Sequence, residues 1–266
     1  MIVRTPITAL AALALGATAA PASADEAVAP LEPRLYFGAL DELSHDDFSR
    51  SASRTSDILL AVGLATPVAL DLARDESGHA VRLGTYAGGV LASGIVAGVM
   101  KEIWRRPRPY NFHKAPGVQA YARAAGKDAR VSFPSGHTTL AFAAAAAGGW
   151  IYATDSDDTS ARAAVWFTGT TIAGATAVLR MRAGKHYPSD VAMGAVIGIA
   201  GVAVPAIAFP DVDLSGTEIA AMAGGVLLGA GLASAIPFPR DSATTVDVAP
   251  LALRGGGGLA VTYSGW

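Results

Sequence analysis

Apolar residues along the chain gather into six runs, at 58–70, 83–100, 138–153, 163–179, 191–209 and 219–236. Most run 16 to 19 residues, which at about 1.5 Å per residue is the lower edge of what crosses a hydrocarbon layer of about 30 Å. The first is shorter and contains Pro67. Polar breaks separate them, among them Asp75-Glu76-Ser77-Gly78, Asp155-Ser156-Asp157-Asp158 and Pro210-Asp211-Val212-Asp213. The pattern predicts an all-α fold, a bundle of about six mostly apolar helices. Gly94-x-x-x-Gly98, Gly194-x-x-x-Gly198 and Gly225-x-x-x-Gly229 put small residues on single helical faces, where backbones can pack closely.

The two ends of the chain read differently. Arg4, an apolar stretch at 7–20 and Ala22-Ser23-Ala24 ahead of Asp25 have the form of an export signal over 1–24, with an uncleaved anchor as the alternative. Residues 25–56 are mixed and acidic, a segment outside the cytoplasm read as a loop and then a short amphipathic helix. The helical domain is expected over 57–240. The tail, 241–266, favours strand-forming residues around a run of glycines, so a short β-hairpin is one expectation. Two strands alone are marginal, and a tail laid on the helices is the plainer one.

Composition narrows the class. Hydrophobic residues make up 52% and charged residues 16%, against about 25% charged in an average soluble domain. That leans toward a membrane, although much of the apolar count is Ala, which suits any helix interior. A net charge of −2 offers nucleic acid no global attraction. With no cysteine, disulfides, thiolate zinc sites and Cys nucleophiles are excluded.

Topology adds a test. With the mature N-terminus outside and six crossings, 101–136 and 180–190 fall on the same outer face. The loops then placed inside are neutral (72–82) or acidic (154–162 and 210–218), while 101–136 holds eight Lys/Arg against two Asp/Glu. That runs against the positive-inside rule. A membrane bundle with its chemistry on the outer face and an exported soluble helical domain therefore both stay open.

Three short blocks carry the chemistry. In K-E-I-W-R-R-P-R-P (101–109), a helix must end before Pro107, leaving Lys101 on its last turns and Arg108 in an extended stretch. A point-charge donor and a planar fork can then approach one anion from two directions. In P-S-G-H (134–137), Ser135 is a good N-cap, Gly136 admits close backbone approach, and free N–H groups face an anion. His137 in the first turn feels the positive helix end, which suits a general acid. In R-M-R-A-G-K-H-Y-P-S-D (180–190), Arg180 ends one apolar run and His186 precedes the next. Pro188 suits the first helical position, so Asp190 falls within reach of His186, where a carboxylate fixes the tautomer and leaves the other nitrogen as nucleophile. Arg105, Arg106, Arg182 and Lys185 read as solvated or interfacial charge, and Tyr110, Phe112, His113 and Lys114 as substrate contacts.

Each block alone has a bland reading as a basic helix end or a capping turn. The ordered set, K-x6-R-P, P-S-G-H and R-x5-H-x3-D, resembles the type-2 phosphatidic acid phosphatase (PAP2) family, which is related to vanadium haloperoxidases and bacterial nonspecific acid phosphatases. One departure is Leu179, where that family often has Ser before the arginine. The resemblance implies that His186 attacks phosphorus to form a phosphohistidine, Asp190 orients it, and His137 protonates the leaving oxygen and then activates water. Lys101, Arg108, Arg180, Ser135 and the Gly136 amide would hold the phosphate, with no metal or cofactor. It also implies a phosphorylated substrate, such as phosphatidate, phosphatidylglycerol phosphate, a polyprenyl pyrophosphate or lipid A, met at the periplasmic face of a bacterial inner membrane. A soluble periplasmic acid phosphatase, a vanadium-dependent haloperoxidase and a catalytically silent anion-binding membrane protein are the alternatives.

Overall fold

The structure, a computed structural model, describes Asp41, 47–74 and 77–240, and the backbone of 245–253 and 256–264. The expected signal at 1–24 lies outside the described residues. Helices α1 (Arg50–Leu72), α2 (His79–Trp104), α4 (Gly136–Ala153), α5 (Thr159–Arg182), α6 (Pro188–Ala200), α7 (Ala203–Ala208) and α8 (Gly216–Ala235) form the bundle. A short helix α3 (Pro116–Ala124), flanked by single 3-10 turns, lies in the long stretch between α2 and α4. All six apolar runs are therefore helical. The first helix begins earlier than its run, at Arg50, and crosses the 56/57 boundary drawn from composition, because Ser49 caps it through Oγ accepting from the Ala52 N–H at 3.3 Å.

Helix α4 is the axle. Thirteen of its residues, from Thr138 to Ala153, are buried, and α2, α5, α6 and α1 all pack on it. Its alanines and glycines let the neighbours approach. Pro67 of α1 sits against Gly148, where a methyl group would overlap the ring. Two of the three small-residue faces make close contacts of this kind. A Cβ on Gly194 would come 2.7 Å from the Ser135 carbonyl oxygen, and one on Gly225 2.5 Å from that of Phe167. The third differs: Gly94 meets only a Leu140 side-chain atom and Gly98 meets nothing within 4 Å.

Among the described residues, four helical stretches are long and apolar enough to cross a membrane: Arg50–Leu72, His79–Phe112, Pro188–Ala208 and Gly216–Ala235. They leave large apolar side chains outward, including Leu91 at 64%, Ile103 at 71% and Leu227 at 73% exposure. The expected run at 191–209 is two helices, α6 and α7. They meet at Gly201, which packs on Gly89 of α2 too closely for any side chain. At the tail, strands β1 (Thr245–Leu253) and β2 (Gly256–Ser264) pair antiparallel, with Thr245 opposite Ser264 and Leu253 opposite Gly256.

The helices alternate in direction. One end of the bundle therefore collects the start of α1, the end of α2, the start of α4, the end of α5 and the start of α6. All three chemical blocks lie there.

Candidate active site

Each block reaches this end for a local reason. Helix α2 stops at Arg105, a left-handed residue (φ 44°) whose N–H closes on the Lys101 carbonyl, and Pro107 forbids continuation. Lys101 Nζ then donates to the Val131 carbonyl at 2.6 Å, and its stem lies against Gly136, 3.5 Å from where a Cβ would stand. Helix α5 ends at Arg180–Arg182, and Gly184 in the left-handed region (φ 65°) turns the chain back toward α6. Pro188 opens α6, and the Ser135 N–H donates to the Asp190 carbonyl at 2.9 Å, joining the second block to the third.

His186 is the centre. It is 1% exposed. Its Nδ1 lies 2.8 Å from the Ser132 carbonyl oxygen, which can only accept, so the proton is on Nδ1. Nε2 is then an unprotonated acceptor, 3.1 Å from NH1 of Arg108. Burial, followed by the charges of Arg108, Lys101 and Arg180, holds this imidazole well below its usual range and favours the neutral form. A buried neutral imidazole with a bare nitrogen facing a guanidinium has the chemistry to act as a nucleophile on an anion held there.

The cations converge around it. Arg108, 5% exposed, is locked by Nε to the Asp128 carbonyl and NH2 to Asp128 Oδ1, each at 2.7 Å, and by NH1 to the Lys185 carbonyl at 3.1 Å. Arg180, 3% exposed, donates NH1 to Ser56 Oγ at 3.2 Å and Asp57 Oδ1 at 3.3 Å. Its buried Nε has no hydrogen-bond partner among the described residues, the condition of a donor that awaits an acceptor. Burial, with Arg180 and Arg108 nearby, pushes Lys185 down to about 8.

Several expectations change. Asp190 does not hydrogen-bond His186: its Oδ2 is 3.6 Å from Nδ1. That oxygen instead accepts from the Ser132 hydroxyl and, at 2.8 Å, from the Tyr187 N–H, so the carboxylate reaches the histidine through Ser132. Arg106 is not solvated. It is fully buried, paired at 2.6 Å with both Asp190 Oδ1 and Asp41 Oδ2, and stacked under Tyr187 at 3.9 Å. Arg182 is also engaged, donating to the Ala233, Ser234 and Ile236 carbonyls at the end of α8. Lys185 belongs to the site, and among the four only Arg105 stays exposed. Ser135 occupies the N-cap position without a side-chain cap bond, and its Oγ accepts from Thr138 at 2.9 Å. Tyr110 is core, buried with Phe48 and Val118.

Residues the sequence reading missed are Asp57, Ser132, Asp128 and Arg106. Ser132 acts through a backbone carbonyl, which no residue type advertises. Asp57 did carry a signal, a carboxylate at the edge of an apolar run. Its Oδ1 is 2.8 Å from His137 Nε2. His137 therefore sits at the site, its Nε2 held from α1 and its Nδ1 left for other partners.

Residues 82–211 match the family model described as PAP2 superfamily. A protein named lipid A 1-phosphatase from Rhizobium johnstonii (strain DSM 114642 / LMG 32736 / 3841) is 35% identical over 109 residues, covering 41% of this chain and 40% of that protein. A probable lipid phosphate phosphatase beta of Arabidopsis thaliana is 32% identical over 131 residues, covering 42% of this chain and 58% of that one. The chain thus spans about half the length of these relatives. No solved structure matches it.

Proposed function

We propose that this protein, whose residues 82–211 match the PAP2 superfamily model, is a phosphatase that removes phosphate from a lipid phosphate or pyrophosphate through a phosphohistidine on His186. The observation that carries the reading is the tautomer of His186: Nδ1–H given to Ser132, Nε2 bare at 3.1 Å from Arg108. In-line attack by Nε2 makes the N–P bond while the leaving oxygen departs toward His137. Lys101, Arg108, Arg180 and Lys185 balance the charge on the equatorial oxygens, with the Gly136 amide at the start of α4. His137 gives the leaving oxygen its proton and then takes one from water in the second step. Asp190 keeps Ser132, and through it His186, in register. Fixed cations supply the charge neutralisation that a divalent ion would otherwise give, so turnover is expected to need no metal.

A lipid substrate is supported by the names of both relatives, a lipid A 1-phosphatase and a probable lipid phosphate phosphatase, and by the four long apolar stretches among the described residues. Outward Leu91, Ile103 and Leu227 favour a bilayer over a soluble periplasmic phosphatase. The export signal expected at 1–24 supports a site at the outer face of an inner membrane. Lipid A, phosphatidate, phosphatidylglycerol phosphate and polyprenyl pyrophosphate are the candidates. The test is phosphate release from these lipids by the purified chain in EDTA. Activity that EDTA leaves intact and His186→Ala abolishes is expected. Loss in EDTA, or full activity in His186→Ala, overturns the mechanism, and halide oxidation dependent on vanadate and peroxide would point instead to a haloperoxidase.

A further inference from the structure

The three blocks hold a nucleophile, an acid and an anion cradle, but nothing in them orients the acid. We infer that Asp57 is the positioning residue for His137, holding Nε2 so that Nδ1 is the nitrogen that exchanges protons with substrate and water. This rests on the phosphatase reading above. Asp57 comes from α1, which contributes to none of the three blocks. Its carboxylate crosses to two other helices at once, 2.8 Å from His137 Nε2 at the start of α4 and 3.3 Å from Arg180 NH1 at the end of α5. The side chain is 55% exposed, so the contact is made at the mouth of the site rather than forced by burial in the core.

The surroundings explain why the acid needs such a partner. Around the ring are Arg180 from α5, Lys185 and His186 from the following loop, and Asp57 from α1, while Lys101 of α2 lies against the neighbouring Gly136. Burial first, and then the charges of Arg180 and Lys185, disfavour the imidazolium and push His137 down to about 4, while Asp57 works against them. An acceptor on Nε2 also settles the tautomer: Nε2 keeps its proton and Nδ1 is the atom that loses and regains one. In the first step the His186 Nε2–P bond forms, the P–O bond to the leaving group breaks, and the Nδ1 proton of the His137 imidazolium passes to the leaving oxygen. In the second, Nδ1 takes a proton from water as its oxygen bonds to phosphorus and the N–P bond breaks. Inorganic phosphate leaves and the imidazolium is restored. Asp57 exchanges no proton. Its second contact, to Arg180 NH1, is one that a phosphate oxygen can replace.

The test is steady-state hydrolysis of phosphatidate in detergent micelles by the full chain carrying Asp57→Asn or Asp57→Glu, followed across pH. Asp57→Asn is expected to lower kcat about 10- to 100-fold without raising KM, because Arg180 loses a competing carboxylate. The limb of the kcat profile governed by His137 is expected to move about one unit to lower pH, since removal of a carboxylate weakens the imidazolium. Asp57→Glu restores part of both. Wild-type kcat with an unmoved limb in Asp57→Asn overturns the inference. So does a loss of kcat with the limb unmoved and no rescue by Glu, the signature of a purely structural role. His186→Ala separates the two levels. If it stays active, the phosphohistidine reading fails whatever Asp57 does. If it is dead while Asp57→Asn matches wild type, only the role of Asp57 fails.

Discussion

The two ends of the bundle are both rich in charge, and they treat it in opposite ways. At the end where α1 meets α2, Asp71 is shared between Arg82 Nε at 2.5 Å and His79 Nδ1 at 2.7 Å, and Arg82 NH1 reaches Asp155 at 2.5 Å. Arg74 lies over the Tyr152 ring at 4.1 Å. Nearby, Arg162 Nε meets the buried Glu218 at 2.8 Å. Opposite charges are matched there, and the result is a clamp. At the other end Lys101, Arg108, Arg180 and Lys185 crowd one space, and the carboxylates they touch, Asp57 and Asp128, are 55% and 54% exposed. The buried carboxylates of that end, Asp41 and Asp190, go to Arg106. Burying like charges without matched partners costs stability. A fold that clamps charge at one end and leaves cations in excess at the other fits the proposal that the second set binds phosphate.

Substitution tests this contrast, beginning with the largest effect. His186→Ala is expected to lower phosphate release by at least about a thousandfold at unchanged melting temperature. Equal stability and activity to wild type would remove the site. Arg108→Lys keeps the charge but loses the fork that joins Asp128, the Lys185 carbonyl and His186 Nε2, and kcat/KM should fall about a hundredfold. Clamp and cradle separate in the next pair. Arg82→Met leaves the buried Asp71 to His79 and should cost about 3 kcal/mol, read by thermal or denaturant unfolding, with turnover per folded molecule unchanged. Arg180→Met should do the reverse, losing most activity while relieving repulsion and costing little stability. If both variants lose stability equally, the contrast between the ends is wrong.

The smallest effect is a pH dependence. Burial and the neighbouring Arg180 and Arg108 hold Lys185 down to about 8, so its charge is present below that pH and lost above it. A bound phosphate dianion favours the charged form, so the loss appears in kcat/KM, which reports the free enzyme, more than in kcat. KM for a phosphate substrate should therefore rise above about pH 8, and Lys185→Gln should raise KM below pH 8 and flatten the rise. An unaltered profile in Lys185→Gln would place the alkaline limb elsewhere.

Much of this was legible in the chain, and the part that was not has physical reasons. Helices were readable because apolar runs bounded by Pro, Gly and Asp leave little alternative. That the three blocks meet at one end of the bundle was readable because fixed spacings around helix ends place them. Arg106 and Arg108 sit two residues apart in one basic run; Arg108, held between prolines, reads as an anion holder, and Arg106 carries no such mark. The left-handed turn at Arg105 is followed by one guanidinium buried between two carboxylates and one directed at His186. Asp190 was placed one contact too close to the histidine, because spacing along a helix start gives reach but cannot see that Ser132 lies between them. Asp57 belongs to a helix remote in sequence, and only packing brings it to His137.

The most direct test is to trap the covalent step. The purified protein is mixed with a 32P-labelled lipid phosphate, quenched within one turnover, and assayed for phosphate bound to protein. The account predicts acid-labile, alkali-stable phosphate on His186 that is absent from His186→Ala. Normal turnover with no phosphoenzyme, or the same labelled protein in His186→Ala, would contradict it.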